Sequence, residues 1–247
     1  MTLPTGIECA VLADGAFASG LCADPRGLPG RRRAATAPAA AAAAATELDA
    51  LADALARLHG HFEVDGHRLT GDQAGVRGEG SIIQSLLKGL DLAGANFGPL
   101  SCADLRFEEV DLSNSAWSKI SMRRVGFSGY RLVSWSVRFE RVEDVAFTNC
   151  RPDYCSWTAQ RSSGVIFLRA APFREAEFDR RLDRFVFRDC RLDGARFDAT
   201  SAGQCDLREA DIAGVNGLLT LRGARISLHQ AGEAGIILAD EVGISVE

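Results

Sequence analysis

From Ile82 onward an apolar residue stands at every fifth position: Ile82, Leu87, Leu92, Phe97, Cys102, Phe107, Leu112, Trp117, Met122, Phe127, Leu132, Val137, Val142 and Phe147. The rhythm breaks at Pro152 and resumes in phase with Trp157, Phe167, Leu182, Phe187, Leu192, Phe197, Leu207 and Ile212. Two residues before most of these lies a second small or apolar position, as at Ala95, Val110, Ser115, Val125, Val145, Cys150, Cys155 and Cys190. The other three of each five are mostly Asp, Asn, Arg, Glu, Ser and Gly, as outward positions should be. Neither a helix nor a strand has this period. A longer one lies over it, because phenylalanine recurs at 107, 127, 147, 167 and 187, with Leu87 and Leu207 continuing the column. Four pentads per 20-residue turn reconcile the two periods. The pattern predicts a solenoid whose stacked turns share one core.

Ala95-Asn96-Phe97, Val110-Asp111-Leu112, Ala210-Asp211-Ile212 and Cys205-Asp206-Leu207 resemble the A-(D/N)-L-x-x unit of the pentapeptide-repeat proteins. The resemblance covers roughly residues 80–226 and implies an all-β, right-handed quadrilateral β-helix. About seven turns at the inter-strand spacing of roughly 4.8 Å give a rod of about 34 Å. Between Pro152 and Asp179 the match is poorest, since Pro172, Phe173 and Phe178 leave the phase. Phe167 and Phe187 stay on the ladder, so bulged corners are expected there rather than a lost turn.

The flanks read differently. Residues 1–24 carry a short run in pentad phase (Ile7, Leu12, Phe17, Cys22), and residues 25–45 form a Pro-, Arg- and Ala-rich linker. Residues 46–79 are expected to cover the N-terminal end. A helix from Thr46 to Gly60 would have Leu48, Leu51, Leu55 and Leu58 on its apolar face, followed by extended chain. In residues 227–247, Ser227 and Gln230 form a capping box that opens a helix over roughly 228–241. Gly243 stops it, and Ile244 and Val246 alternate with polar residues as a short strand would. Both helices are expected to cap open solenoid ends. In fluoroquinolone-resistance members of the family such a tail implies two-fold dimerisation, here through Ile237, Leu238, Val242, Ile244 and Val246.

Composition agrees with the expectation of a soluble, cytoplasmic protein: the first residues lack the basic flank and apolar stretch of a signal peptide, and no apolar run reaches the length of a membrane span. Most of the seven cysteines occupy inward pentad positions, where cysteine packs as a small hydrophobe. The net charge of −5 belongs to the flanks: residues 80–226 hold 21 Lys or Arg against 19 Asp or Glu.

That balance bears on function. The resemblance implies a DNA-shaped decoy acting on a type II topoisomerase such as DNA gyrase, in regulation or antibiotic resistance. A DNA mimic needs its negative charge on the rod, and the acidic candidates are Asp91, Asp111, Asp193 and Asp211. The alternative is a protein-interaction scaffold or small-anion binder using an arginine-rich face of Arg123, Arg124, Arg141, Arg161, Arg181 and Arg184. No aromatic residues alternate with these arginines, so direct nucleic-acid binding is not favoured. His59, His61 and His67 stand with Glu63 and Asp65 on one side of an extended stretch, a set that could ligate a metal. But His-x-His is the only metal-like spacing and outward alternation around Phe62 and Val64 explains the rest, so no metal is expected. No catalytic constellation or cofactor motif stands out. The expectation is a homodimeric, non-enzymatic binding protein.

Overall fold

Two inward residues in every five require buried positions to alternate at steps of two and three. Strand Ala116–Ser128 does this, burying Trp117, Ile120, Met122, Val125 and Phe127 while the residues between face outward. The computed structural model describes residues 53–54, 58–129, 131–170 and 172–246. They form a parallel β-solenoid of about eight turns, its strands joined in one 14-stranded sheet.

Successive turns stack in register: Phe97 pairs with Trp117 and Trp117 with Val137, while Cys102 pairs with Met122 and Met122 with Val142. The phenylalanine ladder forms one column. Phe107 lies on Phe127 at 4.5 Å, Phe127 on Phe147 at 4.5 Å, Phe147 on Phe167 at 4.8 Å and Phe167 on Phe187 at 5.3 Å. All four ring pairs are within 15° of parallel.

Corners explain the five-residue period. Left-handed backbone recurs at Gln84, Asp104, Arg124, Asp144, Gly164, Arg184 and Gln204, and at Gly94, Asn114, Ser134, Tyr154, Gly194 and Gly214. A third such series runs through Gly89, Glu109, Gly129, Asn149, Arg169 and Asp189. A side chain disfavours this conformation, and each corner is offset by the inward pair that it allows to be buried. The fourth corner is less regular and needs glycine at Gly98, because a Cβ there would lie 2.0 Å from the carbonyl oxygen of Ser118.

The break near Pro152 is a shift of one residue. Ser156 pairs with Glu177 at an interval of 21 residues, and Glu177 with Arg196 at an interval of 19. An insertion before Phe173 is thus cancelled by an irregularity at Arg180–Arg181. Phe173 and Phe178 are fully buried, and no turn is lost.

At the N-terminus two expectations are corrected. The solenoid begins before residue 80: Gly60–Asp65 pairs with Arg77–Ile83, and Leu69 with Leu87. These intervals are 18 residues, so the pentad phase slips and hides the turn. Within the expected helix of 46–60, Asp53–Ala54 is a strand parallel to Arg68–Leu69, and Leu58 is buried in the core outside any helix. Leu48, Leu51 and Leu55, the pentad-like run of residues 7–24 and the linker of 25–45 lie outside the described residues.

At the C-terminus a helix forms over Ala231–Glu241. Ser227 and Gln230 bond reciprocally as the capping box requires: the Ser227 N–H donates to Gln230 Oε1 at 2.7 Å and the Gln230 N–H to Ser227 Oγ at 3.3 Å. Gln230 also donates to the carbonyls of Leu207 and Ala210, at 2.8 and 2.6 Å, so its amide stands in for a further strand. Glu241 accepts from the backbone N–H groups of Leu218 and Leu219, at 2.7 and 2.9 Å. The expected strand at Ile244–Val246 is absent. Gly243 takes φ 76° and the Ile244 N–H turns back to Ala239 O, a Schellman closure that spends the donor a strand would need.

Replacing Glu241 with alanine leaves two end-turn donors without their partner. Loss of about 1–3 kcal/mol is expected, read as a lower urea midpoint at constant slope; an unchanged midpoint would show that solvent serves those donors as well.

Candidate functional site

Outward residues of successive turns line up in columns about 4.8 Å apart, so each side of the solenoid is a ladder of surface chemistry. One side carries Ser101, Ser121, Arg141, Arg161 and Arg181 at 20-residue intervals. Beside it run Ala103, Arg123, Glu143 and Ser163, paired turn to turn. Arg124 and Arg184 stand on the adjoining corner with Asp104, Asp144 and Gly164. All six arginines of the proposed basic face therefore fall on one side and its edge.

Half of those six arginines are neutralised locally. Side chains at i and i+2 of a strand point the same way, and Arg141 pairs with Glu143 at 2.7 Å and Arg181 with Asp183 at 2.8 Å. Arg124 grips Asp104 with Nε and Nη2, both at 2.5 Å, which raises its own pKa. Arg184 Nε donates to Gln204 at 3.2 Å. Among the described residues, Arg123, Arg161 and Arg184 have no ion pair. Asp183 is a cross-turn hub that accepts from Ser201, Gly203 and Arg181. Partial burial pushes its carboxyl up, and those bonds outweigh the burial and hold it below the usual carboxylate value.

The acidic candidates do not make a continuous face. Asp91 pairs with Asp111, but the column continues through Arg131 and Arg151, and later Arg191 pairs with Asp211. Asp91, Asp111 and Asp211 each accept a backbone N–H two residues on, at 2.8, 2.8 and 3.1 Å, and so brace their own corners. Asp193 is paired with Arg191. The acids are partly structural.

His61, Glu63 and Asp65 are exposed on Gly60–Asp65 while Phe62 and Val64 face inward. His61 lies 4.0 Å from both Glu63 and Glu79. Among the described residues no three His, Cys, Asp or Glu side chains are grouped to hold a metal ion. Burial pushes the thiols of Cys102, Cys155 and Cys205 up to about 12 and that of Cys190 to about 11, as suits packing rather than chemistry. Among the described residues no helix is long and apolar enough to cross a membrane.

At the C-terminal segment, Ile237 and Leu238 pack against the core, whereas Val242, Ile244 and Val246 are exposed. Sequence reasoning missed Leu228, at 93% exposure, and Ile236, at 57%. For Ile236 helical phase was the available signal, since Ala234, Ile237 and Leu238 share one side of the helix and position 236 falls on the other.

Together these features define a four-sided parallel β-solenoid of five-residue repeats with a capped C-terminal end, the fold of the pentapeptide-repeat proteins. Solved structures similar to it include HetL, a pentapeptide-repeat protein involved in heterocyst differentiation regulation in the cyanobacterium Nostoc sp. strain PCC 7120. The match has 15% identity over 68% of this chain and 87% of HetL, with a TM-score of 0.26. Two trypsin-treated forms of QnrB1, a plasmid-mediated fluoroquinolone resistance protein, match at 17% identity with TM-scores of 0.25 and 0.24. They cover 77% and 76% of this chain, and 93% and 100% of their own. No family model matches the sequence, and no curated protein matches it. Register and corners of the chain itself define its fold.

Proposed function

We propose that the protein is a non-catalytic binding scaffold that presents its arginine side to an acidic protein partner. The column of Arg141, Arg161 and Arg181 carries this reading, because it sets three guanidinium groups one strand apart on a single side. Reversing all three to glutamate is expected to abolish binding of a labelled poly-glutamate peptide and to leave the far-UV spectrum unchanged. Undiminished binding by that variant would reduce these arginines to solubilising groups.

A second reading, a DNA-mimic action on DNA gyrase, draws on Asp91 and Asp111, which stand on adjacent turns. It is the weaker because the same column turns basic at Arg131 and Arg151. A gyrase supercoiling assay with and without a quinolone separates the two. Inhibition or protection that is lost on replacing Asp91, Asp111, Asp193 and Asp211 with asparagine would favour the topoisomerase. Under either reading the protein acts in the cytoplasm as a homodimer joined through its C-terminal segment.

A further inference from the structure

The middle turn of the arginine side differs from its neighbours in a chemically directed way. The preceding turn reads Arg141-Val142-Glu143-Asp144 and the following one Arg181-Leu182-Asp183-Arg184; between them stands Arg161-Ser162-Ser163-Gly164. The guanidinium is kept, the carboxylate that would neutralise it is replaced by a hydroxyl, and the corner loses its side chain. Ser163 pairs in register with Glu143, so the comparison is between equivalent positions. Arg161 and the Ser163 hydroxyl have no ion pair or side-chain hydrogen bond among the described residues. Ser162 does not compete, since its hydroxyl donates to the carbonyl of Asp183 at 3.2 Å.

We infer that Arg161 and Ser163 form a subsite for a phosphate monoester carried on a phosphorylated side chain of the partner. The inference rests on the scaffold reading above and names the chemistry that its central turn recognises. A carboxylate offers two oxygens and is satisfied by one guanidinium. A phosphate monoester carries a charge of about −1.5 to −2 and three acceptor oxygens. Paired bidentately with Arg161, it has an oxygen left for the Ser163 hydroxyl, and its remaining charge faces Arg141 and Arg181 on the flanking turns. The nearby acids are already engaged: Glu143 holds Arg141, and Asp183 is bonded to Arg181, Ser201 and Gly203. Asp144 is the opposing charge at the rim, its Oδ1 lying 2.8 Å from where a Cβ of Gly164 would stand.

The test uses the full chain and a labelled phosphoserine peptide, with its glutamate and unphosphorylated counterparts and inorganic phosphate as competitors. The phosphopeptide is expected to bind at least about tenfold more tightly than the glutamate peptide. Arg161→Gln and Ser163→Glu should each weaken it by about tenfold or more. Ser163→Glu restores the pattern of the neighbouring turn and so preserves the fold, and Asp144→Asn should tighten binding. A phosphopeptide that fails to bind, or that binds the Ser163→Glu variant equally well, would overturn the subsite. Inorganic phosphate competing at the phosphopeptide's own affinity would overturn the phosphorylated partner as its source. If the glutamate peptide binds as tightly, and reversal of Arg141, Arg161 and Arg181 abolishes both, the subsite fails and the scaffold reading stands.

Discussion

Phe147→Ala is expected to cost roughly 3–5 kcal/mol, the largest effect of any single substitution considered. Its ring is fully buried between Phe127 at 4.5 Å and Phe167 at 4.8 Å, and Trp157 meets it edge-on at 4.9 Å. The cost falls at the upper end of the range because the cavity cannot collapse. Ladders hold the turns above and below in register, with Phe127, Phe147 and Phe167 at strictly paired positions. Closing the gap would require breaking backbone hydrogen bonds on both sides of it. Each turn also depends on its neighbours for burial, so weakening a central turn loosens the two halves together. Chemical denaturation measures the loss, and Phe147→Leu should recover more than half of it. A loss under about 1 kcal/mol would show that the column relaxes more freely than its register implies.

What could be read from the sequence follows from the same geometry. Wherever the interval is 20 residues, inward positions repeat in phase and the phenylalanine column is visible by counting. The turn from Gly60 was missed because its interval is 18, which moves Val64 and Leu69 off the phase set by Ile82 and Leu87. Leucines at spacings of three and four make residues 46–60 look like an amphipathic helix, and only the pairing of Asp53–Ala54 with Arg68–Leu69 decides otherwise. Trp135 escaped notice because it occupies a small-residue column, where Ser115 and Cys155 on adjacent turns leave room for the indole. The charges held more information than their sum. Arg-x-Glu and Arg-x-Asp set both side chains on one face of a strand, and Arg141-x-Glu143, Arg181-x-Asp183 and Arg191-x-Asp193 use that placement for their own neutralisation. Arg161-x-Ser163 announced its lack of it. The interruption of the acidic column obeys the same 20-residue interval, which brings Arg131 and Arg151 into line with Asp91 and Asp111.

Ile236→Asp combined with Ile244→Asp is expected to convert a dimer into a folded monomer. The C-terminal helix has two apolar aspects with different duties. Ile237, Leu238 and the buried Ala234 lie against the solenoid end, and Gln230 and Glu241 satisfy its open backbone. Those residues serve the solenoid end, whereas Leu228, Ile236, Val242, Ile244 and Val246 remain exposed in the same segment. Isolated exposed apolar residues are ordinary, but five within one short segment are expected to form an interaction surface. Two-fold pairing buries such a cluster most simply, since one patch serves both partners. Gly232 and Gly235 point the same way: glycine weakens a helix by about 1 kcal/mol relative to alanine, and a Cβ at either would meet nothing within 4 Å. Among the described residues their smallness serves no contact, and it suits the close approach of a second helix. Sedimentation at micromolar concentration should give a dimer for the intact chain and a monomer for the double variant. Gly232→Ala with Gly235→Ala should weaken the dimer while raising thermal stability of the monomer. A wild-type chain that sediments as a monomer would sink the idea and leave end-capping as the only duty of this segment.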